Sequence, residues 1–147
     1  MTTATNDVTG LTFDQIATGL RAWARGLYPL EAAVEVLLAH RGWLHRTDFR
    51  RAALWISDDG PSFIGIDWAA VATFAGRAPA SGSEIAMLCV AASLAGQDVH
   101  RPLGDLLSGL DQTNTAIVLH AIAHTAGWHE RDSVALVTGT FSSLKPS

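Results

Sequence analysis

"SEIAMLCVAASLAG", residues Ser83 to Gly96, carries Glu84 near its start and after it no charged side chain on any face. A helix that is apolar all round belongs in the middle of a fold, because no stripe of it gains from facing water. Ser81 and Glu84 stand three apart, the spacing of a capping box in which a hydroxyl and a carboxylate each satisfy an unpaired amide at a helix start. Gly96 supplies the stop. The stretch therefore predicts a central, buried helix with the rest of the chain packed around it.

Toward the amino terminus, Thr12 and Gln15 make a second capping box. Phe13, Ile16, Leu20, Trp23 and Leu27 then recur at three- and four-residue steps and form one apolar stripe, ended by Gly26 and Pro29. "PLEAAVEVLLAH" opens on proline, whose missing amide costs nothing in a first turn, and turns Leu30, Val34 and Leu37 inward with Glu31 and Glu35 outside. After His40-Arg41-Gly42 the character changes. "RTDFRRAALWIS" begins as a short helix capped by Thr47, and the β-favouring runs Leu54 to Ile56 and Phe63 to Trp68 flank "DDGPS", the chemistry of a hairpin turn. Asp67 caps "WAAVATFA", and "GRAPASGS" is the most loop-like stretch, with a minor boundary near Ala80.

Toward the carboxyl terminus, Pro102 opens a short helix, and Asp111 caps one that runs to about Thr125 and stops at Gly127. In that helix Val118, Ala121, Ile122 and Thr125, extended by Leu119 and Ala126, form the arc expected to face the core. The tail from Asp132 to Ser147 fits an edge strand or a short helix equally. The sum is a mainly α fold of the α+β type, a compact bundle of about six helices with one small β-hairpin. Residues 11–147 form one globular domain, preceded by a flexible 1–10 segment.

At 147 residues, 48% hydrophobic and only 16% charged, the chain has enough apolar content for one well-formed core. Its formal net charge of −4 gives a polyanion no overall attraction, so any nucleic-acid contact has to come from a local patch. Cys89 is the single cysteine and sits in an apolar run, which fits a reducing compartment and a thiol that acts as a small hydrophobe. The first residues lack the basic-then-apolar order of a secretory signal, and no apolar run reaches the roughly 18 residues needed to cross a bilayer. A cytoplasmic protein without membrane contact is the expectation.

Three clusters bear on function. Arg41, His45, Arg46, Arg50 and Arg51 form a local basic patch within residues 41–51. Two helices, a Gly-containing turn, a short helix at Thr47 and a hairpin follow the order of a winged helix-turn-helix, which makes these residues candidate nucleic-acid ligands. Asp58 and Asp59 at the wing tip oppose that reading, since they repel phosphate. Trp55 and Trp68 flank the hairpin and are candidate partner-binding residues, because tryptophan is enriched at binding hot spots.

The third cluster lies in "VLHAIAHTAGWHE", where His120 and His124 are one helical turn apart and His129 or Glu130 can fold back as a third ligand. Zinc is the metal such a set would take. The position after His120 is Ala121, so the glutamate base of a zinc protease is missing. "LLAHRGWL" and "AIAHTAGW" echo one another, each ending a helix in histidine, glycine and tryptophan, which shared carboxyl-end capping explains.

No phosphate-binding glycine loop or nucleophile elbow is present, and "SSLK" at Ser142 to Lys145 matches a Ser-x-x-Lys motif only in form. By elimination the sequence points to a non-catalytic interaction or adaptor module that docks on a protein partner or self-associates. The alternatives are a winged-helix-like nucleic-acid binder and a metal-binding protein.

Overall fold

The computed structural model describes residues 7–130. In chain order they form a 3-10 turn at Val8–Gly10 and helices α1 (Phe13–Ala24), α2 (Tyr28–His40), α3 (Gly42–His45) and α4 (Thr47–Ala53). Strands β1 (Leu54–Ser57) and β2 (Gly60–Ile66) follow, then helices α5 (Trp68–Ala75), α6 (Gly82–Leu94), α7 (Leu103–Leu107) and α8 (Gln112–Thr125), and a second 3-10 turn at Trp128–Glu130. The fold is mainly helical with one small antiparallel sheet. Among the described residues there are eight α-helices where about six were expected. The one-turn helix α3 accounts for part of the difference: burial of Trp43 and Leu44 draws Gly42–His45 into a turn of its own.

Local chemistry sets the helix starts. Thr12 Oγ1 accepts from the Gln15 amide at 3.1 Å while Gln15 Oε1 accepts from the Thr12 amide at 2.9 Å. Ser81 and Glu84 repeat the exchange at α6, and Asp67 and Asp111 cap α5 and α8 through single bonds of 3.1 and 2.7 Å. Each cap satisfies amides that helix geometry leaves without partners.

Helix α6 is the centre. Every residue from Ala86 to Ala92 is buried, and the helix packs against α2, α5, α7 and α8. Trp43 is fully buried beside it and donates its indole N–H to the Glu84 carbonyl at 2.9 Å. Trp43, Phe49 and Phe74 meet with ring centroids 5.6 to 5.8 Å apart, edge-on or tilted, as aromatic quadrupoles favour. The buried side chains form one cluster from Val8 to Ala121, continuous across the loop at Ala80, where Arg46 bonds the Pro79 carbonyl at 3.1 Å.

In the hairpin Leu54 pairs with Ile66, Trp55 with Gly65 and Ile56 with Ile64. Leu54, Ile56, Ile64 and Ile66 thus share one face, and β2 lies against α1 at Gly19. A Cβ at Gly19 would sit 2.6 Å from Ile64 Cγ1 and 2.7 Å from the Pro61 carbonyl oxygen, so only glycine permits this approach.

Three expectations need correction. Residues 7–10, expected to be loose, are packed: Asp7 caps the first 3-10 turn and Val8 is buried. Leu27 is 62% exposed because α1 ends at Ala24 and Leu27 serves as the cap position of α2. Leu119 and Ile122 also face solvent, Ile122 at 47% exposure, while the buried residues of α8 are Asn114, Val118 and Ala121. Helix α8 packs chiefly on one neighbour, α2, and a single seam needs only positions four and seven apart rather than a wide apolar arc. The expectations for residues 1–6 and 131–147, including the Ser142 to Lys145 motif, lie outside the described residues. Among the described residues no helix is long and apolar enough to cross a membrane.

Candidate functional site

Helices α2 and α8 run antiparallel and are fastened at both ends by histidine. His40, the last residue of α2, places Nδ1 3.2 Å from Asn114 Oδ1 in the first turn of α8. His124, near the end of α8, places Nε2 2.8 Å from Glu31 Oε1 in the first turn of α2. The echoed "AH" helix ends thus perform the same task on opposite strokes of the pair. The echo departs from shared glycine capping in one respect: after α2 the positive φ belongs to Arg41, at 67°, whereas after α8 it belongs to Gly127, at 82°. Arg41 extends its guanidinium over the Phe13 ring, 4.6 Å from the centroid.

The turn at Gly127 sends the chain back across the end of α8. His129 lands on His124 with ring centroids 3.6 Å apart and an interplanar angle of 1°. Tyr28 presents its ring edge-on to His124 at 6.1 Å and to His129 at 4.7 Å, and its hydroxyl donates to Glu130 Oε2. Glu31 holds the cluster from the α2 side: its Oε2 accepts the Gly26 amide at 3.0 Å, which aims Oε1 at His124. The Gly26 bond and the His124 bond hold the Glu31 carboxyl below its ordinary pKa.

Glu31, His124 and His129 each offer one ligand atom, all within 4.8 Å of one another. The sequence pointed to His120, His124 and His129. The structure brings the last two together but leaves His120 exposed, a turn away from the cluster. Glu31, expected to face outward, takes its place. No local spacing could reveal it, since Glu31 and His124 are 93 positions apart; the paired histidine helix ends were the one hint.

An open cavity of about 550 Å³ lies between α2 and α8 beside this cluster. Ala32, Val36, Ala39, Ala121, Ala123 and Trp128 line it, with Glu35 and the histidines at its edges. Glu35 is held by Arg21 in a two-point ion pair of 2.8 and 3.2 Å. A smaller polar cavity of about 330 Å³ on the far side of the cluster is bordered by Arg21, Arg25 and Glu130.

The basic stretch is arranged differently. Arg50 is only 7% exposed and donates to the carbonyls of Leu44, Leu11 and Thr9 at 2.5, 2.7 and 3.4 Å. Burial pushes its pKa down, and no carboxylate faces it among the described residues. Arg46 pairs with Asp48 through bonds of 3.0 and 2.7 Å and lies over the rings of Trp43 and Phe74. His45 stacks on Phe13 at 5.0 Å, and Arg51 is exposed. Helix α4, the segment expected to read a nucleic-acid groove, buries Phe49, Arg50 and Ala53 and runs straight into β1.

Of the hairpin tryptophans, Trp55 is 44% exposed beside Phe63 at 48%, its indole laid across Gly65 and edge-on to Trp23. Trp68 instead packs against the core, and its buried indole N–H has no hydrogen-bond partner among the described residues. Cys89 is buried, which raises its thiol pKa above the ordinary value.

No protein-family model matches the chain, and no curated protein and no solved structure matches it. The reading of the site therefore rests on its own geometry.

Proposed function

We infer that the protein is a non-catalytic interaction module whose α2–α8 groove receives an amphipathic helix of a protein partner. The observation that carries this reading is the groove itself, an opening of about 550 Å³ between two antiparallel helices, lined largely by small apolar side chains. The exposed Ala39 and half-buried Ala123 let a partner backbone come close over the buried Ala32 and Ala121, and anchors at helical spacing supply the apolar contact. Polar groups at the edges, Glu35 and His120 among them, give the polar rim common to such surfaces. The chain's net charge of −4 favours a partner helix with a basic outer edge.

Selection from a random peptide library against the full chain tests the reading. Recovered peptides are expected to carry apolar residues at i, i+3 or i+4, and i+7. Filling the groove by Ala39→Trp or Ala123→Trp should weaken their binding by more than about tenfold, the equivalent of about 1.4 kcal/mol. Peptides without helical spacing, or binding indifferent to both substitutions, would contradict it.

A further inference from the structure

We propose that Glu31, His124 and His129 form a binding site for a divalent transition metal, with zinc the ion their donors fit best. Two imidazole nitrogens and one carboxylate oxygen are a recurrent zinc donor set that leaves a fourth position for water, whereas calcium and magnesium prefer oxygen throughout. The three residues come from separate places: the first turn of α2, the last turn of α8 and the 3-10 turn that follows it. Their convergence is a product of the fold and not of one surface helix.

The surroundings match what metal ligands require. A ligating carboxylate is ordinarily held by a further hydrogen bond, and Glu31 Oε2 already accepts the Gly26 amide at 3.0 Å while Oε1 points into the cluster. Tyr28 abuts both imidazoles and fastens Glu130, whose Oε1 lies 3.9 Å from His129 Nε2. His124 and His129 side chains are 23% and 28% exposed, so an ion can reach them from water.

Binding requires a small rearrangement. Ligand atoms on a tetrahedral zinc with bonds near 2.0 to 2.1 Å stand about 3.3 Å apart. The outermost pair here must close from within 4.8 Å, and His124 Nε2 must give up its 2.8 Å contact with Glu31 to face the ion. The stacked imidazoles have to splay so that both lone pairs converge. Gly127, at φ 82°, is the pivot that permits this, because His129 rides on the short turn just beyond it. His124 must present Nε2 without its proton, which moves to Nδ1 in the neutral ring or leaves to solvent from the charged one.

The proposal stands apart from the groove reading, since the ion needs no peptide. Its test is calorimetric titration of the tag-free full chain with zinc chloride, with magnesium as control, beside Glu31→Gln, His129→Ala and His120→Ala. Circular dichroism melts establish that each variant is folded. One zinc per chain is expected. Partners that merely orient ligands are worth 10- to 100-fold in affinity, so loss of a ligand in Glu31→Gln or His129→Ala should weaken binding by at least about a hundredfold. His120→Ala should bind as the parent does. Cobalt substitution gives a second readout: visible bands of a four- or five-coordinate ion that vanish in His129→Ala. Absence of zinc binding, zinc binding that survives both ligand substitutions, or zinc binding lost in His120→Ala would overturn the assignment.

Discussion

The arginine-rich segment from Arg41 to Arg51 and the histidine-rich end of α8 are both polar clusters, and the fold treats them in opposite ways. In the first, the charges are turned inward or sideways: Arg50 clamps three backbone carbonyls, and Arg46 is shared between Asp48 and two aromatic faces. In the second, groups from the two ends of an antiparallel helix pair converge beside an open groove. In the first cluster Arg41, Arg46 and Arg50 are taken up by carbonyls, a carboxylate and aromatic faces, several of them on other elements of the fold. A cluster assembled across 93 positions can leave its donors aimed at a shared point.

The sharpest way to break the comparison is to remove the clamp. Arg50→Ala leaves the Leu44, Leu11 and Thr9 carbonyls without their charged donor and frees the 3-10 turn at Val8–Gly10. Bonds to charged groups contribute about 1.5 to 3 kcal/mol each, with large overlap when one residue makes several, so a loss of about 2 to 4 kcal/mol is expected in chemical denaturation. Arg51→Ala, one residue on and exposed, should change stability by less than about 0.5 kcal/mol. Equal effects at the two positions would remove the distinction between structural and solvated arginines.

A smaller effect sharpens the other side. The Glu31 carboxyl titrates below its ordinary range in the folded chain, held there by the Gly26 amide and His124. The unfolded chain therefore takes up this proton first as pH falls. The contribution of Glu31 to stability is complete above about pH 5 and is lost as pH drops through the folded value. Glu31→Gln carries no such charge, so the stability gap between it and the parent should narrow as the pH falls below about 5. A gap independent of pH would mean that the carboxylate charge contributes nothing.

Much of the frame was legible because its causes are local. The two capping boxes, the aspartate caps of α5 and α8, the uncharged helix around Cys89 and the hairpin at Asp58-Asp59 each depend on residues within a few positions of one another. The misreadings have long-range causes. Helical spacing placed Val118, Ala121 and Ile122 inside together, but α8 meets essentially one neighbour, whose narrow seam takes Val118 and Ala121 and leaves Ile122 to solvent. Periodicity carried the first stripe to Leu27, past the point where α1 ends. The same limit applied to the site. His124 and His129 were visible as a pair, while Glu31 looked like an outward residue of an unrelated helix until the antiparallel packing of α2 and α8 joined them.

The most direct test of the contrast is a set of proton–nitrogen correlation spectra of the labelled, tag-free chain, recorded with zinc and then with a short DNA duplex at low salt. The account predicts that zinc displaces the amide signals of Glu31, His124, Gly127 and His129, and that DNA leaves those from Arg41 to Arg51 unmoved. Signals from Arg41 to Arg51 that shift with DNA, together with a histidine end indifferent to zinc, would contradict it.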